Sequence, residues 1–469
     1  MLVKKYKNGD RMTEQIKSIL RDSPRARWTA MFLVSFAMFT GYLFTEIISP
    51  LKTIIEKSSL GWNSTEYGTV VSAYGWFNVF LAMLIIVGIL LDKFGIRFSS
   101  ISSALIMVTG AGIKYYAFVG NFAPGSKILG LDSSVFFASL GFAMFGVGVE
   151  YAGITASKAI VKWFKGKEMA LAMGMQVAIA RLGSFVPLFF GAKIAKMFNV
   201  ATPVLFGFLF LIIGLITFIS YNVMDKKLDT QLAAESDGSE EDKFQFSDLK
   251  VIFTNKAFWY IAALCVLFYS AVFPFYKWGP DLMVNKFGVS EQWAGVIPSL
   301  VPFGTIFLTP LFGSIYDKKG KGASIMILGS FILVFVHIIY FLPFITSIWV
   351  AVFNAILLGI GFSLVPSAMW PSVPKIIPEK QLGTAFATIF WVQNWGLMGI
   401  PFAVGVVLDK LNPGVSEAIA AGEAVKYDYS KTWLIFIALT LLAVVFAYLL
   451  KAEDKKKGYG LQLPNIKQT

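Results

Sequence analysis

VFFASLGFAMFGVGVEYAGITASKAIVKWFKGKEMALAMGMQVAIARLGSFVPLFFGAKIAK, residues 135–196, is the stretch that decides the fold. Two long apolar runs flank a short basic turn, and each carries one charge far from its ends, Glu150 in the first and Arg181 in the second. An apolar helix of about 20 residues crosses the ~30 Å hydrocarbon core of a bilayer. The stretch therefore reads as two membrane spans joined by a turn. A charge inside a span is costly and faces a cavity or a partner. Glu150 and Arg181 mark either a wet central chamber or an ion pair locking two helices, and the chamber is the preferred expectation.

Working outward, the whole chain fits the same class. Of its 469 residues, 56% are hydrophobic and only 15% charged, where a soluble domain carries about 25% charged residues. Apolar runs recur at 28–49, 67–91, 98–119, 135–157, 169–194 and 202–221, and again at 257–283, 292–315, 323–344, 347–373, 382–408 and 432–450. The expected fold is an all-α polytopic membrane protein with twelve transmembrane helices in two six-helix pseudo-symmetric bundles. The expected organisation is a cytoplasmic segment 1–27, a first bundle 28–221, a cytoplasmic linker 222–256, a second bundle 257–450 and a cytoplasmic tail 451–469.

Charge placement orients the chain. Of the 41 lysines and arginines, 29 fall in the termini, the linker and the turns on that same side, and nine fall opposite. The positive-inside rule puts both termini in the cytoplasm. This placement explains the net charge of +13 and removes nucleic acid as a partner; membrane lipid takes its place. Cys265 and His337 are each the sole residue of their type, so no intrachain disulfide, metal site or cofactor is expected. No nucleotide-binding motif or catalytic set is visible, which argues against an enzyme. No cleavable signal peptide is expected before the first span.

At 1.5 Å rise per residue, Glu150 lies about 12 Å and Arg181 about 20 Å from the cytoplasmic ends of their helices. Boundary uncertainty covers the difference, so both can flank one ligand. A guanidinium clamps a carboxylate through two hydrogen bonds, and a carboxylate receives an ammonium. At matched depth Tyr42, Tyr74, Asn78, Tyr269, Gln393 and Asn394 supply neutral hydrogen-bonding groups. Glu46 is expected at headgroup level. Trp391, Trp395 and His337 are expected to pack between helices, and the sequon at Asn63 is no stronger than a chance match.

GILLDKFGIR, 88–97, and its weaker copy GSIYDKKGK, 313–321, occupy equivalent turns in the two halves. GILLDKFGIR resembles the cytoplasmic loop motif of the major facilitator superfamily through Gly88, Asp92, Lys93, Gly95 and Arg97. That resemblance implies gating roles for Asp92, Arg97 and Asp317. Three further stretches, 169–184, 271–288 and 366–397, resemble the branch containing the lysosomal dipeptide uniporter of animals. It implies that Glu150 and Arg181 recognise a dipeptide backbone. The expected function is dipeptide transport by alternating access, as a uniporter. An organic-anion or sugar-phosphate exchanger and a non-transporting membrane sensor are the alternatives. No acidic dileucine signal is evident in residues 1–27, so a plasma or bacterial inner membrane is expected ahead of a lysosomal one. A monomer is expected, with an accessory subunit left open.

Overall fold

The computed structural model describes residues 19–123, 125–164, 167–233, 252–378 and 381–465. Twelve long helices are labelled in chain order. They are α1 (Pro24–Thr45), α2 (Ser64–Phe80), α3 (Met83–Val119), α4 (Ser133–Phe164), α5 (Met169–Met197) and α6 (Ala201–Ala233). The second set is α7 (Lys256–Asn285), α8 (Val296–Lys319), α9 (Gly322–Phe341), α10 (Ile348–Ile376), α11 (Leu382–Leu411) and α12 (Leu434–Lys457).

Local chemistry sets several boundaries. Ser23 caps α1, with Pro24 at its first position, where a missing N–H costs nothing. Asn63 and Glu66 form a capping box at the start of α2, so the amide oxygen of the sequon asparagine is committed to the helix. Between α2 and α3 the chain bends by 60°, at Ala82 in the left-handed region (φ 49°). The single span expected at 67–91 is therefore broken. α3 is itself interrupted at Gly95, where φ is 76°, a value that favours glycine. Residues 83–94 complete the second crossing and 96–119 make the third. Ten other helices among the described residues are long and apolar enough to cross, eleven with the bent pair counted as one span; dividing that pair at Gly95 gives the twelve expected.

Packing follows an internal repeat. α1 packs on α4, α5 and α6, and α3 on α4 and α6; α7 packs on α10, α11 and α12, and α9 on α10 and α12. Adding six to each label of the first set gives the second. The two halves meet through α2 against α11 and α5 against α8, pairs that exchange under the same operation. Small residues allow these approaches. A Cβ on Gly110 of α3 would stand 2.5 Å from the Gly141 carbonyl of α4, and one on Gly68 of α2 would stand 3.0 Å from the Pro401 carbonyl of α11.

Two segments differ from the expected limits. α6 continues to Ala233, so residues 222–233, expected as linker, are helical; 234–251 lie outside the described residues. α12 likewise runs on to Lys457. His337 behaves as expected of a packing residue, fully buried, accepting from Trp433 Nε1 at 3.1 Å and stacked on Phe436.

Candidate functional site

Glu150 on α4 is held by the Tyr74 hydroxyl, which donates to Oε1 at 2.8 Å. The backbone explains the meeting. Tyr74 sits in a 3-10 turn, Ala73–Gly75, inside α2. Gly146, one turn before Glu150, lies so close that any Cβ there would collide with the Tyr74 carbonyl. Glu150 shares the lining of one cavity with Phe390 and Gln393 of α11, so it faces the second half as well.

Arg181 on α5 reaches toward the second half. Its guanidinium carbon stands 4.9 Å from the Phe362 ring centroid and 5.8 Å from that of Phe273, both within cation–π range. Its Nη1 is buried and has no hydrogen-bond partner among the described residues. Tyr42 lies within the electrostatic reach of both Arg181 and Glu150. Gly183 draws α1 against α5 at this level: a Cβ on it would stand 3.0 Å from Tyr42 Cβ. No salt bridge joins Glu150 to Arg181 among the described residues, so the helix-locking pair is not made here.

A cavity of about 150 Å³ opens between the halves. Of the expected binding residues, Glu150, Tyr42, Tyr74 and Gln393 line it. Arg181, Asn78, Tyr269 and Asn394 are not in the lining. Arg181 stands beside Phe273, which is. Asn78 and Asn394 each keep a buried side-chain oxygen without a partner among the described residues. The Tyr269 hydroxyl accepts from Trp370 Nε1 at 3.1 Å, and its ring stacks on Phe273. Gln393 accepts from Cys265 Sγ at 3.5 Å. Trp391 and Trp395 are not simple core residues: Trp391 donates to the Val79 carbonyl at 3.3 Å, and Trp395, 45% exposed, meets the Phe80 ring.

Two charged residues outside the expected binding set also line the cavity. Glu46 and Lys277 both face the cavity. Lys277 Nζ donates to Glu46 Oε2 at 2.8 Å and to the Thr45 carbonyl at 2.6 Å. Glu46 is only 2% exposed, which corrects the headgroup-level expectation. The missed signal was positional: Glu46 and Lys277 occupy the outer parts of the first helix of each half, with opposite signs.

The two ends of the cavity differ. On the side away from the termini the halves are joined by buried charge. Lys52 contacts Glu56 at 2.7 Å and Asp281 at 3.5 Å. Tyr427 donates to Glu56 at 2.6 Å, and Asp281 accepts from Thr53 and Tyr429. Asp409 of α11 accepts from the Thr65 backbone at 2.6 Å and hydroxyl at 2.7 Å, at the start of α2.

On the terminus side the ionic contacts among the described residues stay within one half. Asp92 pairs with Lys158 at 2.7 Å and Arg97 with Asp229 at 2.7 Å. Asp317 accepts from Asn465 Nδ2 at 2.7 Å. Arg27 donates to both oxygens of Glu168, at 3.0 and 2.8 Å. That contact holds the Glu168 carboxyl below its ordinary range, as Lys167 does for Asp22. The Trp391 to Val79 hydrogen bond also joins the halves. Among the described residues, ionic contacts thus seal the cavity away from the termini and none latches the two halves toward them.

Comparison with known proteins places this geometry. The family model described as Major Facilitator Superfamily matches residues 34–401. The human lysosomal dipeptide transporter MFSD1 is 29% identical over 447 residues, covering 92% of this chain and 88% of that protein. Among solved structures, the nucleoside transporter NupG superposes with a TM-score of 0.67 at 13% identity, covering 90% of this chain and 99% of that one. A peptide transporter, POT, superposes with a TM-score of 0.65 at 14% identity, covering 94% and 96%. These two likenesses concern the fold.

Proposed function

The chain belongs to the major facilitator superfamily, and on that premise we propose that it carries zwitterionic dipeptides across a membrane by alternating access, as a uniporter. It is a multi-pass membrane transporter and not an enzyme. The observation that carries the substrate is the separation of two opposite charges. Glu150 and Arg181 flank Tyr42 without pairing to each other, and Arg181 keeps a buried N–H unpartnered. A zwitterion satisfies both: its ammonium meets Glu150, and its carboxylate takes the Arg181 fork. Tyr42, Tyr74 and Gln393, which line the cavity, serve the peptide unit. A simple organic anion suits Arg181 but leaves Glu150 opposed to it. The relative's name, lysosomal dipeptide transporter, supports the same substrate class.

In this mechanism the unlatched side is the cytoplasmic one, as the excess of basic residues there implies. Asp92, Arg97 and Asp317 act when that side closes, and the far-side charges act when it opens. The protein works as a monomer in a plasma or bacterial inner membrane.

The test compares a free dipeptide with its N-acetylated form on purified protein. Glu150→Gln weakens the free dipeptide by about tenfold or more, as expected for a lost charge-assisted hydrogen bond. It changes the acetylated form far less. Arg181→Lys, which keeps charge but loses the fork, weakens both. Equal losses for the free and acetylated ligands with Glu150→Gln would show that the carboxylate does not hold the ammonium.

A further inference from the structure

We propose that Glu46 and Lys277 form a side-chain subsite in this cavity, one that takes a polar or charged substrate side chain of either sign. The proposal rests on the dipeptide reading above and adds to it the group that reads the side chain. Both residues line the cavity. Lys277 spends two of its three ammonium N–H groups on Glu46 Oε2 and the Thr45 carbonyl. Glu46 Oε2 also accepts from Ser49 Oγ at 2.6 Å, while Oε1 has no hydrogen-bond donor among the described residues. The pair therefore presents one spare donor and one spare acceptor direction.

Its position suits a side chain. The Glu46 backbone N–H donates to the Tyr42 carbonyl at 3.3 Å, so Glu46 lies one turn, about 6 Å, beyond Tyr42 along α1. Tyr42 shares the cavity lining with Glu150, and the helix bearing Arg181 packs against it at Gly183. A ligand whose backbone spans those two charges projects a side chain toward the pair within that distance. The Phe142 ring also lines the cavity and packs against Tyr74. Lys114 Nζ stands 3.5 Å from its centroid and Lys277 Nζ 5.9 Å.

The pair is neutral as a unit, which lets a buried site hold it. Removing one partner of a buried pair strands the other charge. A substrate group that enters uses the spare directions: a side-chain carboxylate accepts from Lys277, an ammonium donates to Glu46, and a hydroxyl or amide meets either.

The experiment measures direct binding of Ala-Glu, Ala-Lys and Ala-Ala to the purified full-length chain. In Lys277→Met the ratio of acidic to basic dissociation constants rises about tenfold, because only the carboxylate remains; in Glu46→Gln it falls about tenfold. The ratio cancels any change in the conformational equilibrium, which moves all three ligands together. The double variant Glu46→Gln/Lys277→Met has no stranded charge and guards against misfolding of the single variants. It weakens Ala-Glu and Ala-Lys relative to Ala-Ala. Ratios unchanged within twofold in the single variants, or no relative weakening in the double variant, overturn the subsite and leave the pair as a seal. If the wild type binds none of the three, the dipeptide reading fails and the subsite falls with it; binding with unchanged ratios sinks the subsite alone.

Discussion

The side of the molecule away from the termini and the side bearing them both carry many charges, yet they use them differently. Away from the termini, the side chains of Lys52, Glu56 and Asp281 are 1–2% exposed and join the first half to the second. On the terminus side, Asp92 is 78% exposed, Arg97 and Asp229 are 43% and 41% exposed, and their pairs lie inside the first half. Buried ions interact strongly because little water screens them, and removing one member is costly. Exposed pairs contribute ~0–1 kcal/mol. The difference teaches which contacts set the observed state: the far-side charges hold the halves together, and the terminus-side charges tidy helix ends within one half.

The strongest way to break this contrast is Asp281→Ala. It takes from Lys52 its carboxylate partner in the second half, leaving Glu56, and leaves the Thr53 and Tyr429 hydroxyls without their charged acceptor, at a cost to the seal on the order of 3 kcal/mol, over a hundredfold in the closed-to-open ratio. A single cysteine at Val71, which lines the cavity, placed in a Cys265→Ser background, then reacts much faster with an impermeant maleimide added from the far side. Unchanged reactivity means that this cluster does not seal the cavity.

A smaller effect is expected from Asp92→Asn. Losing the exposed contact to Lys158 changes folding stability by under about 1 kcal/mol. Liposome uptake slows several-fold while equilibrium binding of a dipeptide is kept, because the loop acts when the terminus side closes. A large loss of affinity with unchanged uptake kinetics would contradict that role.

The smallest effect concerns the exposed Glu168 contact to Arg27. The Glu168 carboxyl is held below its ordinary value by the Arg27 hydrogen bonds. A depressed carboxylate stabilises fully above its ordinary pKa and loses that contribution as pH falls through the depressed one. Glu168→Gln therefore lowers the melting temperature by no more than about 2 °C at neutral pH. The difference shrinks as pH falls through the depressed pKa and vanishes in acid, once the wild-type carboxyl is protonated too. A difference that persists in acid would place the effect in packing and not in charge.

Much of the fold was legible because its signals are local. Long apolar runs, the basic turns between them and the repeated loop at 88–97 and 313–321 each lie within a few dozen residues. The interruption at Gly95 was marked by glycine itself, whereas the bend at Ala82 was not, since alanine gives no hint of a positive φ. Glu150 stood out because an isolated carboxylate deep in an apolar helix has no local partner, and it does line the cavity.

By itself, then, the sequence determined a membrane protein of two repeated six-helix halves with charges buried at its centre. Hydrocarbon admits only helices that satisfy their own backbone and penalises every stray charge. Tertiary structure alone decided which charges meet. Lys277 finds Glu46 across 231 residues, and Asp281 is met by Thr53 across 228. Arg181 lies against the rings of Phe273 and Phe362 without pairing to Glu150. A charge near a helix end looks the same in sequence whether it faces headgroups or a partner helix. Only the packing of one half on the other removes the water and makes it a buried pair.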